Sequence, residues 1–386
     1  MTFETVKFSD ITVNHDKKRI PLSTMERSKR QGSYRYYGAQ GVIDYIDDYI
    51  FDGKYLLIAE DGENLKSKKQ NIAQLAEGRF WVNNHAHIVQ CNERCRLEYL
   101  CFMLNSMDLS GYITGSAQPK LSQANMNNIS FEIPSVEMQD LILSVILPIE
   151  MQIATNTAIN ENLEQQLHAL YKNISCQSNW HYSAIGDIAK KVAMGPFGSN
   201  IKVATFVDSG VPIISGNHLR RFILEENEYN YITEEHADRL KNSIVYPKDI
   251  VFTHAGNIGQ VAIIPEECTY PRYVLSQRQF YLRCNTELAL PEYVLLFFHS
   301  KEGQHELLSY ANQTGVPSIA QPATNLKKIR LPLPPIEIQL KWFEIIAPLM
   351  SLYQKNELES KYLSSLRDTL LPKLMNGEID VSAVRI

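Results

Sequence analysis

Positions 149, 153, 156, 160, 163, 167, 170 and 174 step forward by four and three, and they are apolar apart from Asn156 and Asn160. A second copy runs through Leu349, Tyr353, Asn356, Ser360, Leu363, Arg367, Leu370 and Leu374. This is heptad spacing, which marks a coiled-coil seam. It predicts two long helices that pair antiparallel, with Ile153, Asn156, Leu163 and Leu170 of one facing Tyr353, Asn356, Leu363 and Leu370 of the other. The flanking positions are polar, among them Glu164, Gln165, Lys355 and Glu357. An asparagine within an apolar seam fixes register at some cost in stability. Pro148 and Pro348 each interrupt the apolar pattern. Proline removes a helix hydrogen bond, so a short helix is expected before each proline and the long one after it.

Outside these segments the pattern shortens to strand-like runs, at 55–59, 211–215, 250–253 and 260–264, punctuated by Gly, Pro and Asn. Helical periodicity returns near 97–106 and 291–309. The chain also repeats. NNISFEIPSVEMQ at 127–139 and KKIRLPLPPIEIQ at 327–339 align at an offset of 200. Gly115, Asn125, Ile129, Pro134, Glu137, Gln139, Pro148, Asn156, Leu163 and Leu170 all recur at that offset. Such repetition argues for a duplicated unit in which one chain mimics a dimer. The expected class is α+β, with two pseudo-symmetric α/β globules separated by the two helices of an antiparallel coiled coil. The boundaries fall at 1–135 (globule), 136–178 (helix), 179–335 (globule) and 336–386 (helix).

Composition narrows the function. The chain has 44% hydrophobic and 21% charged residues, which is globular. No apolar run approaches a bilayer span and no signal peptide is evident, so no membrane role is expected. Six cysteines in 386 residues suit a reducing cytoplasm. The net charge is −5, and residues 131–179 alone carry −5, leaving the globules near neutral. Bulk positive charge therefore does not hold nucleic acid here, and any phosphate-facing surface is a local patch, such as Lys17 to Arg19, Lys66 to Lys69 or Arg220 and Arg221. Walker, dinucleotide, nucleophile-elbow and zincin motifs are absent, as is the Asn-Pro-Pro-aromatic signature of adenine methyltransferases. His85, His87, Cys91 and Cys95 lie close together but lack zinc spacing, and the two histidines read as alternate residues of one strand; no metal is expected. Nothing in the chain reads as a catalytic centre.

Several segments together resemble the specificity subunit of type I restriction–modification systems. GDI at 186–188 and GPFGSN at 195–200 look like the opening of a target recognition domain. VPIISGN at 211–217 and DIVFTHAGNIG at 249–259 continue that pattern, with His254 where the family often has arginine. LPLPPIEIQ at 331–339 is similar to the start of the family's helical region and LPKLMNGEI at 371–379 to its end. YYGAQGVID at 36–44 and IAEDG at 58–62 carry the likeness into the first half, which lacks a clear GPFG segment. The resemblance implies a non-catalytic subunit whose two recognition domains each read one half of a split, asymmetric DNA site. It implies helices that set the gap and dock two modification subunits, which use S-adenosylmethionine to methylate adenine at N6. Two restriction subunits with ATP- and Mg-dependent translocase and nuclease activity would complete the assembly. Helical residues 149–174 span about 40 Å, close to the 34–36 Å of one DNA turn. A structural adaptor with no DNA role is the competing reading.

Base readout uses Arg or Lys for guanine and Asn or Gln for adenine. Those residue types and their neighbours select Ser33, Tyr34, Arg35, Tyr36, Tyr37, Glu60, Asp61, Asn64, Lys66, Asn83, Asn84 and His85 in the first globule. In the second they select Ser199, Asn200, Lys202, Asn217, His218, Arg220, Thr253, His254, Asn257, Gln277 and Arg278. Glu137, Gln139, Glu337 and Gln339, at the helix starts, are candidates for the methyltransferase interface, with helix capping as the alternative.

Overall fold

The computed structural model describes residues 2–115, 118–176, 180–226, 228–312 and 315–381. The chain divides into two compact units. One comprises 1–154 together with 360–386, and the other 155–359. Each unit takes a sheet region from one half of the chain and a piece of both long helices.

In the first unit six strands lie in the order Thr12–Asn14, Ala86–Cys91, Phe51–Ala59, Ala73–Val82, Gln31–Gly38 and Gly41–Ile46. All neighbours are antiparallel except Gln31–Gly38 against Ala73–Val82. Successive strand residues face opposite sides, and here both sides are covered. Tyr36 packs with Ile46 and Trp81 on one face, while Tyr37 packs with Phe51, Tyr55 and Phe80 on the other. A separate ribbon pairs Phe3–Lys7 with Ser130–Pro134. The helix Leu97–Ser106 buries Tyr99, Leu100 and Leu104 against Ile142, Leu143, Ile146 and Leu374 of the long helices.

The second unit carries two four-stranded sheets. One runs Ala189–Met194, Gln279–Cys284, Ile250–Thr253, Val261–Ile263 and the other Tyr231–Ile232, Val211–Ile214, Tyr273–Leu275, Ile244–Val245. Val211–Ile214 and Tyr273–Leu275 are parallel, repeating the single parallel pair of the first unit. The helical run near 291–309 is two helices, Pro291–His299 and Lys301–Leu308, divided at Ser300, whose hydroxyl caps the second by accepting from the Gly303 N–H at 3.1 Å.

Val136–Ser175 and Ile336–Met375 are each one unbroken helix of 40 residues. The expected break at Pro148 and Pro348 does not occur. A single lost hydrogen bond is outweighed because the buried face continues through it, with Ile142 and Ile146 buried before Pro148 and Asn156 and Leu163 after it. An 18-residue stretch of the first helix is apolar enough for a membrane by composition alone. In this fold, however, Ile142, Leu143 and Ile146 belong to the first unit's core.

Within the second unit the helices run antiparallel, with Trp342 beside Leu170, Tyr353 beside Glu164 and Asn356 beside Asn160. The buried positions of the first helix from Leu163 step by four, four and three, with Tyr171 buried and the expected seam residue Leu170 only partly so, because these residues also pack on the sheet region. Leu163, Leu167, Tyr171 and Ile174 share one core with Trp342, Ile346, Tyr353, Tyr293 and Phe297. Burial of each such side chain contributes about 1.5–3 kcal/mol of transfer free energy. At mid-seam an asparagine ladder replaces apolar packing. Asn356 Nδ2 donates to Asn160 Oδ1 at 2.9 Å, Asn160 Nδ2 to Glu357 Oε1 at 2.8 Å, and Asn156 Nδ2 to Glu359 Oε2 at 2.9 Å.

Candidate nucleic-acid interface

The two units build the same backbone frame from different side chains. The Glu60 N–H bonds the His85 carbonyl at 2.9 Å, and the His254 N–H bonds the Arg278 carbonyl at 2.9 Å. Gly62 N–H bonds Pro119 O at 3.1 Å, and Gly256 N–H bonds Pro317 O at 3.0 Å. Leu121 N–H reaches Glu60 O and Ile319 N–H reaches His254 O, both at 2.8 Å. Asn83 N–H bonds Tyr37 O at 3.0 Å where Ser276 N–H bonds Ile214 O at 2.8 Å. His85 thus occupies the position of Arg278, Asp61 that of Ala255, and Lys120 that of Ser318. The frame is a slot at the ends of the central strands, lined by the loops that follow Ala59 and Val82 in one unit and Thr253 and Leu275 in the other.

In the second unit the slot opens as a polar cleft of about 260 Å3. Asn217, Thr253, Asn257 and Arg278 line it together with Ser215, Gln260, Ser276 and Gln279. Its floor is a hydrogen-bonded chain. Ser276 Oγ donates to Gln279 Oε1, Gln279 Nε2 to Thr253 Oγ1 at 3.5 Å, and Thr253 Oγ1 to Gln260 Oε1 at 3.1 Å. Gly216 sits against this chain so closely that a β-carbon would lie 3.0 Å from Gln260 Oε1. Arg278 is exposed at the rim, and its guanidinium approaches Gly256, where φ is +87°.

The first unit has Ala59 and Ala86 where the second has Thr253 and Gln279, as the matched registers Ala59–Ala86 and Thr253–Gln279 show. Its slot is charged at the rim instead. His85 Nδ1 lies 2.8 Å from Asp61 Oδ2, and Lys120 Nζ lies 3.1 Å from Glu60. Behind them Arg19 donates to Glu60 at 2.7 Å, and buried His87 contacts Asp16 at 2.6 Å and the Leu121 carbonyl at 2.8 Å. Burial works against the Asp16 and Glu60 carboxylates. The His87 contact and the Ile88 N–H on Asp16, and Arg19, His87 and Lys120 on Glu60, nevertheless hold both below the usual range.

The first unit's slot gathers Asp61 and His85, and the second unit's slot gathers Asn217, Thr253, Asn257 and Arg278. Ser33, Asn84, Lys66, Asn200, Lys202, Arg220 and Gln277 are exposed nearby in sequence, Lys66 donating to Gly115 O at 3.2 Å and Gln277 to the Gly198 carbonyl. The side chain of Ser199 lies outside the described residues. Other candidates are structural. Tyr36 and Tyr37 are core residues, Tyr34 packs on Tyr49 at 5.1 Å, and Arg35 donates to the Glu77 carbonyl. Asn64 is buried and clamps Gln70 through two 2.9 Å bonds, and buried Asn83 accepts from the His85 N–H at 2.8 Å. His218 is buried, stacks on Tyr229 at 4.5 Å and accepts from Ser215 N–H at 2.9 Å. Burial lowers its pKa and that of half-buried His254, whose Nε2 contacts Gln277 O at 3.1 Å. Thr253 is also buried and belongs to the cleft floor. Glu60 is committed to Arg19, Lys120 and His87. His85 and His87 do not point one way, since His85 is exposed in the loop before the strand and His87 is buried within it. Among the described residues no group of His, Cys, Asp and Glu is arranged to hold a metal ion.

The helix-start candidates divide in the same manner. Gln139 is fully buried, accepting from Arg96 N–H at 2.8 Å and donating to Pro134 O at 3.0 Å and Arg94 O at 3.1 Å. Gln339 repeats every bond with Leu290 N–H at 2.9 Å, Pro334 O at 2.7 Å and Leu288 O at 3.2 Å. These two glutamines are internal clamps and are not available to a partner. Glu137 and Glu337 are exposed, and Glu137 is held below the usual carboxylate range by its own N–H at the helix start and by Ser135. The second helix also presents an apolar surface. Ile338, Ile345 and Leu352 are exposed seven residues apart along the second helix. Ser215, Gln260, Ser276 and Gln279 also line the cleft but carry no signal in the sequence, where the offset between copies is 177 at Phe8 and Ile185, 194 at Glu60 and His254 and 193 at His85 and Arg278.

Comparison with known proteins agrees with this duplicated frame. The family model described as the type I restriction modification DNA specificity domain matches twice, over residues 1–165 and 177–366. A putative type I restriction enzyme specificity subunit of Haemophilus influenzae is 24% identical over 343 residues, covering 86% of this chain and 83% of its own. One from Methanocaldococcus jannaschii is 23% identical over 320 residues, covering 74% and 69%. The crystal structure of the type I restriction–modification S subunit of M. genitalium has the same fold, with a TM-score of 0.62, 14% identity, and 97% and 96% of the two chains covered. With both sheet regions and most of both long helices inside the two matches, the chain belongs to the type I restriction–modification specificity subunits, the non-catalytic members of those systems.

Proposed function

We propose that each unit reads one half of a split, asymmetric duplex sequence through its slot, and that the paired helices set the gap between the halves. The observation that carries this reading is one backbone frame furnished with two sets of side chains. A reader of two different half-sites needs a shared geometry and divergent base-facing groups. The helices dock two copies of an adenine-N6 methyltransferase subunit, and the exposed stripe of Ile338, Ile345 and Leu352 supplies apolar area for such a contact. S-adenosylmethionine resides on that partner, and ATP and Mg on two restriction subunits. The chain works in the cytoplasm. Near-neutral globules suit a reader whose partners contribute most of the phosphate contacts.

Adenine-methylation mapping tests this in cells that contain the methyltransferase partner with and without the chain. A bipartite motif with a fixed gap, present only with the chain, is the expected result. Identical maps under verified expression would remove the recognition role and leave an adaptor.

A further inference from the structure

The equivalent positions held by Arg278 and His85 allow a sharper statement, which rests on the half-site reading above. We propose that this single backbone position is a base-reading position in both units: Arg278 reads guanine in one half-site, and His85, oriented by Asp61, reads a base edge in the other. The carbonyls of both residues accept the matching N–H, of His254 and of Glu60, at 2.9 Å, so the two side chains leave the frame at the same point. Both are exposed at the slot's rim while the residues behind them are buried or bonded inward.

Arg278 is the arginine that lines the cleft; Arg239 is also without an ion pair or hydrogen bond among the described residues but lies on the helix Glu234–Arg239, outside the cleft lining, and Arg220 reaches Asn217 at 3.5 Å. Arg272 is bound to Glu234 and Asp238, Arg283 to Asp249, Arg221 to Glu164, and Arg330 to the Tyr182 carbonyl. No such partner holds Arg278 among the described residues, although it borders a cleft rich in amide and hydroxyl groups. A guanidinium left uncommitted beside a polar cleft can offer two parallel N–H groups to guanine O6 and N7, the commonest specific contact in the major groove. Gly256 lies beneath it at φ +87°, a backbone conformation that favours glycine.

In the first unit the same position is held differently. Asp61 accepts from His85 Nδ1–H at 2.8 Å, which fixes the ring and leaves Nε2 without a protein partner among the described residues. In the neutral ring that nitrogen is an acceptor, suited to the exocyclic amine of adenine or cytosine. Ala255 stands at the Asp61 position of the second unit, so the orienting carboxylate is present only where the reader is histidine.

The test uses the full chain co-expressed with its methyltransferase partner, with methylation mapped for Arg278→Lys, Arg278→Gln and His85→Ala, and complex assembly checked by size-exclusion chromatography. Lysine keeps the charge but not the two-pronged geometry. The expected result is that Arg278→Lys and Arg278→Gln both lose about tenfold or more discrimination at one guanine of one half-motif, with the gap and the other half unchanged. His85→Ala relaxes one position of the other half only. Full discrimination in Arg278→Lys combined with evenly weakened methylation in Arg278→Gln identifies a phosphate contact and overturns the proposal. Unchanged maps, relaxation of the same half by both substitutions, or a half-motif without guanine in the second unit's share also overturn it. A wild-type chain that yields no bipartite motif fails at the earlier step and removes the half-site reading itself.

Discussion

Gly195 has room only for hydrogen, because a β-carbon there would lie 1.9 Å from the Ser276 carbonyl oxygen and 3.0 Å from that of Gln279. That close crossing brings the 195–200 loop against the cleft floor. Gly195→Ala is expected to destabilise the second unit by about 1–3 kcal/mol, the usual cost of overpacking, measured as a lower urea midpoint. His299 makes a second residue-scale prediction. Burial pushes its pKa down to about 4, and its Nε2–H donates to Val261 O at 2.8 Å. The unfolded chain protonates this ring near pH 6.5, so its contribution is complete above that pH and is lost as the pH falls toward 4. At pH 5 the loss amounts to about 2 kcal/mol, or roughly 4–8 °C in the melting temperature of a unit this size. His168, His218 and His254 are shifted in the same direction by burial and add to the effect. A melt that is flat between pH 7 and 5, or a His299→Gln variant with the same slope as wild type, would contradict this assignment.

At the scale of elements, two devices repeat. Gln139 and Gln339 each tie a helix start to the loop before a buried helix, and truncation strands one backbone N–H and two carbonyls. Gln339→Ala is expected to cost about 2–4 kcal/mol and to lower the melt of the second unit, with Gln139→Ala doing the same in the first. The asparagine ladder has a different logic. Asn160→Leu alone leaves Asn356 Nδ2 and Glu357 unsatisfied and costs about 1–3 kcal/mol. Replacing Asn156, Asn160 and Asn356 together with leucine restores stability but removes the register lock, so the mapped motif is expected to show a mixture of gap lengths. A single sharp gap in the triple variant would show that register is set elsewhere.

At the scale of the whole molecule, charge is the governing quantity. With a net charge of −5 and near-neutral globules, the chain alone is expected to bind duplex DNA weakly and with a shallow salt dependence. Addition of the methyltransferase partner is expected to raise affinity and steepen that dependence, read by fluorescence anisotropy across 50–200 mM salt. Tight, salt-steep binding by the chain alone would mean that its local lysine and arginine patches suffice.

Much of this was legible from the chain before folding. Heptad spacing located both helices because burial on one face of a helix requires that period whatever the helix packs against. The offset of 200 exposed the duplication where the two copies keep equal length. Loop length hid the rest. The offset slides from 177 to 194 to 200 along the chain, so Asp61 and Ala255, or His85 and Arg278, cannot be paired by counting. Polarity misled at Asn64, Asn83, His218, Gln139 and Gln339, because an amide or imidazole that satisfies buried backbone groups has the same residue type as one that faces a base. Periodicity, duplication and charge balance are properties of residue order and could be read along the chain. Folding settled which polar side chains were consumed inside and which stayed free at each slot, because only the hydrogen-bonded frame makes residues 193 or 194 apart equivalent and leaves their side chains to differ.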